Sequence, residues 1–189
     1  MTDRFPKSRV ALGAALKQAL TTTPLSRVTV SSLTAAAGTS RQTFYTHFSN
    51  VYDLAAWVFS VEAVDHMLTH AAQDEWADGL VKMLRYMEAH KEETYAITSS
   101  LDHTRLERFF FRAFREVVQI IAENLETEYQ LSPEDREFVI DHYALVGVGH
   151  LLHWLCSDMD TDPYVLAANM EFILNGALRQ SFERFASKR

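Results

Sequence analysis

The 189-residue sequence predicts an all-α fold of about nine helices, with an N-terminal three-helix domain ahead of a C-terminal helical bundle. Apolar residues recur at intervals of three and four along most of the chain, which is the period of an amphipathic helix. Few stretches alternate between apolar and polar residues as strands do. Only six glycines and four prolines interrupt the sequence, so we expect helices joined by short turns.

The first half of the chain contains several recognisable helix boundaries. The first helix is predicted over residues 7–22 and ends before Pro24, because proline cannot continue the hydrogen-bond ladder. A helix is expected to start just after Phe48, where Asn50 and Asp53 have the spacing of a capping box. The following helices are predicted over residues 74–90, with Asp74 as N-cap, and over residues 92–99 and 102–125.

Two strong helix starts mark the second half. Ser132-Pro133 and Asp162-Pro163 each combine an N-cap residue with a proline at the first helical position. The first of these helices is predicted to reach about Leu155. The second is predicted to continue without interruption through Phe182, as the last helix of the chain.

The charge of the chain is divided unevenly. The formal net charge of −7 argues against a nucleic-acid partner, because phosphate binding requires a basic surface. Residues 1–50, however, hold six basic residues against one acidic residue, a net charge of +5. Residues 51–189 hold 12 basic and 24 acidic residues, a net charge of −12. This asymmetry predicts a basic anion-binding domain over residues 1–50 and an acidic domain over residues 51–189, and the alternative is ordinary variation of surface charge.

The cysteine content and the hydropathy pattern indicate the compartment. Cys156 is the single cysteine and therefore has no partner for an internal disulfide. The sequence shows neither a secretory signal pattern nor an apolar run long enough to span a bilayer. We therefore expect a cytoplasmic protein without a membrane partner.

Residues 29–48 have the pattern of a helix-turn-helix. Thr29 precedes a short helix as an N-cap, and Gly38 supplies the left-handed residue that ends that helix. Ser40 is predicted to cap a second helix, which Phe44 and Phe48 anchor in a core because they lie four residues apart. Two short helices joined by a glycine turn are the arrangement that a reader of the major groove requires.

The outer face of the second helix carries side chains suited to DNA. Arginine donates a fork to guanine and glutamine pairs with adenine, and the methyl group of threonine meets that of thymine. Hydroxyl and imidazole donors suit phosphate oxygens, which position a helix without specifying sequence. The base-facing candidates on this reasoning are Arg41, Gln42 and Thr46, the phosphate-facing candidates are Thr43, Tyr45 and His47, and Arg4, Lys7 and Arg9 are expected to add contacts from an N-terminal arm.

This segment resembles a known family signature. Thr29-Val30-Ser31-Ser32-Leu33-Thr34-Ala35-Ala36-Ala37-Gly38-Thr39-Ser40-Arg41-Gln42-Thr43-Phe44-Tyr45-Thr46-His47-Phe48, followed by Asp53-Leu54, is similar to the DNA-binding signature of the TetR family of bacterial regulators. The resemblance adds Ser31 to the base-facing residues, and it implies a regulator that binds double-stranded operator DNA. The complete predicted DNA-binding set is Thr29, Ser31, Ser40, Arg41, Gln42, Thr43, Tyr45, Thr46 and His47. The alternative that remains open is a plain helical hairpin inside a bundle.

The segment departs from the family pattern at three positions. Thr34 and Thr39 stand where the family has a small and an apolar residue, which predicts looser packing at the turn. Val51 replaces a lysine that contacts phosphate in the family, which predicts weaker and less salt-dependent binding to DNA.

The C-terminal half of the sequence shows a second resemblance. The apolar helix from Tyr143 to Trp154, which contains two glycines, is similar to the C-terminal region of the TetR branch that includes dihydroxyacetone-kinase regulators.

The last two predicted helices are the expected surface of a homodimer. One recognition helix covers only a few base pairs, so regulators of this size pair to read a two-fold related site. Residues 144–149 are apolar on nearly every side, and Gly147 and Gly149 would let a neighbouring helix approach closely. The resemblance also implies that these helices pair, whereas the alternative is that both are simply internal.

The acidic domain is rich in aromatic residues and methionines, which suit an adaptable pocket for a small apolar or aromatic effector. The alternative reading is that each of these residues fills a core. The resemblance implies an inducer cavity without choosing its wall. The effector-pocket candidates are Trp57, Met83, Met87, Tyr95, Phe110, Phe114 and Tyr143.

The histidines provide a minor alternative. His66 and His70 share one helix face, and His150, His153 and Cys156 share another, but neither set completes a metal site, so we predict no metal and no cofactor. Catalytic motifs such as a phosphate loop or a glycine-flanked serine are not found, so we predict no enzyme.

The sequence therefore predicts a transcriptional regulator. By family default it is a repressor that a small-molecule effector releases from DNA. The alternatives are an activator or a ligand-independent regulator of the same fold and, less favoured, a metal sensor or an all-α enzyme.

Overall fold

The computed structural model describes residues 5–59, 61, 75–99 and 103–188, and these residues form α-helices joined by turns. No strand and no helix long and apolar enough to cross a membrane occurs among them. The predicted all-α fold is confirmed. In chain order the elements are α1 (Lys7–Leu20), a 3₁₀ turn (Leu25–Arg27), α2 (Val30–Ala36), α3 (Arg41–His47), α4 (helical over residues 51–59), α5 (Trp76–Ala89), α6 (Lys91–Thr98), α7 (His103–Leu125), α8 (Pro133–Cys156), α9 (Pro163–Leu174) and α10 (Ala177–Ala186).

The helix starts predicted at the two proline signals are confirmed. The Ser132 hydroxyl accepts a hydrogen bond of 3.1 Å from the backbone N–H of Asp135, at the start of α8. At the start of α9, the Asp162 carboxylate accepts from the backbone N–H groups of Tyr164 and Val165, at 2.8 and 3.2 Å. Asp74, the predicted N-cap ahead of α5, lies outside the described residues.

The prediction of one uninterrupted final helix is wrong. The segment from Pro163 to Phe182 is divided into α9 and α10, because the backbone at Asn175 leaves the helical region and Gly176 has a φ of 72°. A residue with positive φ is left-handed and stops a helix, and glycine adopts this conformation without a steric penalty. The Asn175-Gly176 pair is itself a turn signal that the periodicity of the apolar residues concealed.

The chain divides into two compact units. The first comprises Met1–Val61 with His90–Asp102, and the second comprises Glu62–Ala89 with His103–Arg189. Helices α1 to α4 and α6 therefore belong to the first unit, and α5 and α7 to α10 belong to the second.

In the second unit, α7 packs along α8 and α10 covers one end of the pair. An apolar cluster joins the three helices, and Phe182 of α10 is completely buried in it. At the surface, Arg115 of α7 forms ion pairs with Glu137 and Asp141 of α8. The buried members of the cluster are Ala122, Leu125, Val139, Ile140 and Phe182.

Gly147 allows the close approach of α7 to α8. A Cβ atom at this position would lie 2.5 Å from Cδ1 and 2.9 Å from Cγ of the buried Phe114 ring. We expect Gly147→Ala to lower the free energy of unfolding by about 1–3 kcal/mol, because overpacking forces the ring or the backbone to move. Urea denaturation followed by circular dichroism measures this loss.

The double variant Gly147→Ala with Phe114→Leu serves as the control for this clash. A smaller residue at position 114 should recover part of the loss, so the two substitutions should not be additive. A stability of Gly147→Ala equal to or above that of the wild type would contradict the predicted clash.

Candidate nucleic-acid interface

The predicted helix-turn-helix consists of α2 and α3 of the first unit, and α1 packs beside it. Helix α1 packs against both α2 and α3, which also contact each other. The core between them contains fully buried side chains from each element. These include Leu12 and Leu16 of α1, Leu33 of α2 and Phe44 of α3.

The start of α2 is a capping box, and the prediction of Thr29 as N-cap is confirmed. The Thr29 hydroxyl accepts from the Ser32 backbone N–H at 3.2 Å, and the Ser32 hydroxyl accepts from the Thr29 backbone N–H at 3.3 Å. The role of Ser32 was not predicted from the sequence, because glutamate or glutamine is the usual third residue of such a box.

The turn between α2 and α3 is closed by two backbone hydrogen bonds. The Gly38 N–H donates to the Ala35 carbonyl at 3.3 Å, and the Thr39 N–H donates to the Thr34 carbonyl at 2.9 Å. This is the Schellman pattern, which requires a left-handed residue, and Gly38 has the predicted positive φ of 61°. Thr34 is buried, but its hydroxyl donates to the Ser31 carbonyl at 3.2 Å, so the larger side chain leaves no polar group unpaired.

Substitution of Gly38 tests this turn. A Cβ atom at position 38 would meet no atom within 4 Å, so the cost of Gly38→Ala is purely conformational. We expect a loss of about 1–2 kcal/mol in the free energy of unfolding, the penalty of the left-handed region for a residue with a Cβ atom. Gly38→Asn is the matched control, and we expect it to lose less because asparagine tolerates this region. Equal losses for the two variants in thermal denaturation would contradict this explanation.

Helix α3 is capped and anchored as predicted. The Ser40 hydroxyl accepts from the Thr43 backbone N–H at 3.0 Å, which confirms Ser40 as the N-cap. Phe44 and Phe48 are buried, and their ring centres lie 5.8 Å apart, which confirms the predicted anchor. The anchored side of the helix fixes which residues face outward.

The outward side of α3 presents the predicted base-facing residues to solvent. Arg41, Gln42 and Thr46 are exposed, and Tyr45 is 54% exposed. The Thr46 hydroxyl donates to the Gln42 carbonyl at 3.0 Å, so its hydrogen is already used within the helix. The other exposed members of the predicted set are Thr29, Ser31 and Ser40.

The predicted phosphate-facing residues differ in their exposure. Thr43 and His47 are half-buried, in contrast to the exposed Tyr45. The Thr43 hydroxyl lies 2.9 Å from the Ser40 hydroxyl, within hydrogen-bond distance. His47 Nε2 shares a hydrogen bond of 2.8 Å with the Ser8 hydroxyl of α1, a contact between residues 39 positions apart that no local pattern indicates.

The predicted N-terminal arm is only partly exposed. Lys7 is exposed at the start of α1, whereas the guanidinium group of Arg9 lies over the rings of Phe5, Phe48 and Trp57. Arg4 lies outside the described residues. Val51, where the resemblance implies a lysine, is buried at the start of α4.

The predicted capping box ahead of α4 has one displaced hydrogen bond. The Asn50 side-chain oxygen accepts from the Asp53 backbone N–H at 2.9 Å, as expected. The Asp53 carboxylate accepts from the backbone N–H of Ser49 at 2.8 Å, where a regular box would use that of Asn50. The start of α4 is nevertheless capped at the predicted position.

The predicted effector-pocket residues are distributed over both units. In the second unit Met83, Met87, Phe110 and Phe114 are buried, and the hydroxyl groups of Tyr143 and Ser181 are 2.9 Å apart. In the first unit, Trp57 packs against the Arg9 guanidinium, and Lys91 lies 5.9 Å from the ring centre of Tyr95. The effector pocket stays a prediction.

The predicted histidine sets do not assemble into a metal centre within the described residues. His150, His153 and Cys156 are exposed on α8, and no group of three potential ligands occurs in the part of the chain that the structure describes. His66 and His70 lie outside the described residues.

Comparison with known proteins identifies the family. A protein-family model that describes the C-terminal region of TetR-type transcriptional regulators matches residues 74–176, which is more than half of the chain. The HTH-type dhaKLM operon transcriptional activator DhaS from Lactococcus lactis subsp. lactis (strain IL1403) is 21% identical over 138 residues, which cover 70% of this chain and 71% of that protein. The resemblance of the C-terminal region to dihydroxyacetone-kinase regulators is therefore confirmed.

Two solved structures share the fold. The dihydroxyacetone kinase operon activator DhaS matches with a TM-score of 0.57 at 18% identity, covering 95% of this chain and 98% of that chain. The TetR family repressor AlkX from Dietzia sp. strain DQ12-45-1b, implicated in biodegradation of n-alkanes, matches with a TM-score of 0.56 at 20% identity, covering 91% and 95%. Members of this family bind operator DNA and are generally dimers. The chain belongs to the TetR family and is a DNA-binding transcriptional regulator.

Proposed function

We propose that this regulator acts in the cytoplasm as a homodimer whose two α3 helices read successive major grooves of a two-fold related operator. The observation that carries the proposal is the outer face of α3, where Arg41, Gln42 and Thr46 are exposed while Phe44 and Phe48 anchor the opposite side. A helix of this kind enters the major groove with its polar face toward the base edges. We propose no catalytic reaction for this chain.

The α8 helix has an exposed face that we propose for pairing. Buried residues on one side of α8 pack on α7, and a second row of residues at intervals of three and four is exposed. A Cβ atom at Gly149 would meet no atom within 4 Å, in contrast to Gly147, so Gly149 leaves room for a neighbouring helix. The exposed row is Phe138, His142, Leu145, Gly149, His153 and Cys156.

Helix α9 has one buried apolar side and one exposed apolar side. Pro163, Ala167 and Met170 are buried within the second unit. On another side, Phe172 is 88% exposed and Ile173 is 70% exposed. Large apolar side chains exposed together mark an interaction surface. We assign this face, together with the exposed face of α8, to the partner subunit.

We further propose that the regulator represses transcription and that a small apolar or aromatic effector releases it from DNA. The buried methionines and aromatic residues of the second unit, Met83, Met87, Phe110 and Phe114, are the adaptable side chains that such a ligand requires. Release follows if the effector binds more tightly to a conformation in which the two α3 helices are wrongly spaced for the operator.

Activation of transcription is the second candidate, and a specific observation favours it. The name of DhaS, which matches this chain both in sequence and in structure, describes an activator, whereas AlkX is named as a repressor. A reporter gene behind the bound promoter distinguishes the two directions. Expression should rise on deletion of the regulator if it represses, and fall if it activates.

The readout of bases is tested by selection of duplexes from a random pool with the purified protein. We expect Arg41→Ala and Gln42→Ala each to relax the preference at one base pair of each half-site, a loss of about 1–3 kcal/mol in discrimination. Arg112→Ala, at an exposed arginine of α7, is the matched control and should leave the preference unchanged. If the wild-type protein enriches no duplex at low salt, or if Arg41→Ala and Gln42→Ala select the wild-type sequence, the proposed reading is wrong.

A further inference from the structure

Arg9 of α1 lies inside a cage of three aromatic rings. Its guanidinium carbon is 4.8 Å from the ring centre of Trp57, 5.1 Å from that of Phe48 and 5.6 Å from that of Phe5. The rings also contact one another, since Phe5 meets Trp57 edge-on at 5.3 Å and Phe48 lies 5.7 Å from Trp57. We call Phe5, Phe48 and Trp57 the aromatic cage.

The charge of Arg9 is partly withdrawn from water. Its Nε atom is buried and has no hydrogen-bond partner within the described part of the chain. Burial lowers the pKa of the guanidinium group, and the charge of Asp53 offsets this lowering only in part. The ring faces supply the remaining stabilisation, because a desolvated cation is attracted to the negative face of an aromatic ring. Arginine suits this environment better than lysine, since its planar cation is more weakly hydrated and stacks on rings.

The cage connects α1 to the end of the recognition helix. Phe48 is the C-cap residue of α3, and Trp57 belongs to α4. Ser8, the neighbour of Arg9 in sequence, shares the 2.8 Å hydrogen bond with His47. Two adjacent residues of α1 therefore hold two adjacent residues, His47 and Phe48, at the end of α3.

We infer that Arg9 and Ser8 are positioning residues that fix the orientation of α3 for specific DNA recognition, and that Arg9 does not itself contact phosphate. This inference rests on the proposed reading of DNA by α3. The Arg9 charge then does not attract the phosphate backbone of DNA. Instead, it holds α3 in the orientation that base readout requires. Loss of Arg9 should therefore weaken binding to the operator more than binding to other sequences. Loss of a phosphate contact would instead weaken binding to every sequence alike.

The first test compares Arg9→Met with Lys7→Met, which removes the same charge from an exposed side chain on the same helix. Dissociation constants are measured over a range of salt concentrations for a duplex selected by the wild-type protein and for a scrambled duplex. For Arg9→Met we expect about tenfold weaker binding to the selected duplex, with unchanged binding to the scrambled one and an unchanged salt slope. Lys7→Met should leave the ratio of the two affinities unchanged.

Three results of this comparison would overturn the inference. A fall of about 0.9 in the salt slope of Arg9→Met, with equal weakening for both duplexes, would identify a phosphate contact. A lower melting temperature of Arg9→Met with wild-type affinity for both duplexes would identify a purely structural role. A loss of specificity in Lys7→Met as large as in Arg9→Met would show that only charge matters.

The second test is read from the wild-type protein, and the variant Arg9→Lys serves only to identify one signal. In a spectrum of ¹⁵N-labelled arginines, the Nε–Hε signal of Arg9, identified by its absence from Arg9→Lys, should be displaced by the ring currents of the cage. The selected duplex should shift the Arg41 signal and leave the Arg9 signal in place. An undisplaced Arg9 signal, or one that moves with DNA as far as that of Arg41, would refute the inference. Failure of the wild-type protein to select any duplex would instead refute the proposed function.

Discussion

Phe172→Asp is expected to convert the proposed homodimer into a monomer at micromolar concentration and to lower operator affinity by roughly 10²- to 10³-fold. The side chain is 88% exposed in the single chain and lies beside Ile173, so a partner subunit must bury it to form the proposed contact. A carboxylate in that position would be buried without a counter-charge, which opposes association. Affinity falls because the second α3 helix is no longer held close to its half-site. Sedimentation velocity measures the first effect, and titration of the selected duplex measures the second.

The control for this prediction places the same charge on an exposed position of α10. Gln180→Asp should remain dimeric and bind the operator as the wild type does. Circular dichroism should show an unchanged helical content for both variants, because neither side chain contributes to the core of its own chain. A dimeric Phe172→Asp with wild-type affinity would place the pairing surface elsewhere.

Phe44→Ala should destabilise the DNA-binding unit by about 3–5 kcal/mol, the cost of removing a buried aromatic side chain and leaving a cavity. Phe44 is 0% exposed and contacts Phe48 on the anchored side of α3. Such a loss is a large part of the stability of a typical domain. Thermal and urea denaturation measure it, and operator binding should disappear at temperatures at which the unit is unfolded.

Tyr45→Ala is the matched control on the adjacent, outward-facing position. Tyr45 is 54% exposed and meets the Phe44 ring edge-on at 5.5 Å, a contact worth about 0.5–1.5 kcal/mol. We expect Tyr45→Ala to stay folded at room temperature and to lose operator affinity. If Tyr45→Ala were as destabilising as Phe44→Ala, the assignment of inner and outer faces to α3 would be incorrect.

Local chemistry explains why much of this architecture could be predicted from the sequence. The caps at Thr29, Ser40 and Ser132 and the left-handed turn at Gly38 each depend on residues within five positions of one another. Such signals can be recognised in the sequence alone, because the capping side chain or the glycine turn provides hydrogen bonds for backbone groups only a few residues away. The anchored face of α3 follows from the four-residue spacing of its two phenylalanines.

The features that escaped prediction arise from tertiary contacts or from competing signals. The hydrogen bond between Ser8 and His47 and the cage around Arg9 join residues that are far apart in the chain. The break at Gly176 was hidden because apolar residues continue at helical spacing on both sides of it. Gly147 and Gly149 look equivalent in sequence, yet only Gly147 faces the Phe114 ring.

The exposed faces of α8 and α9 have a consequence for the control of transcription. If the operator-binding species is the dimer, and the free chain is mostly monomeric at low abundance, the concentration of that species rises with the square of the chain concentration. A twofold change in expression would then change operator occupancy by about fourfold in this range. Phe172 and Ile173 would thus set how sharply the regulated genes respond to the amount of their regulator.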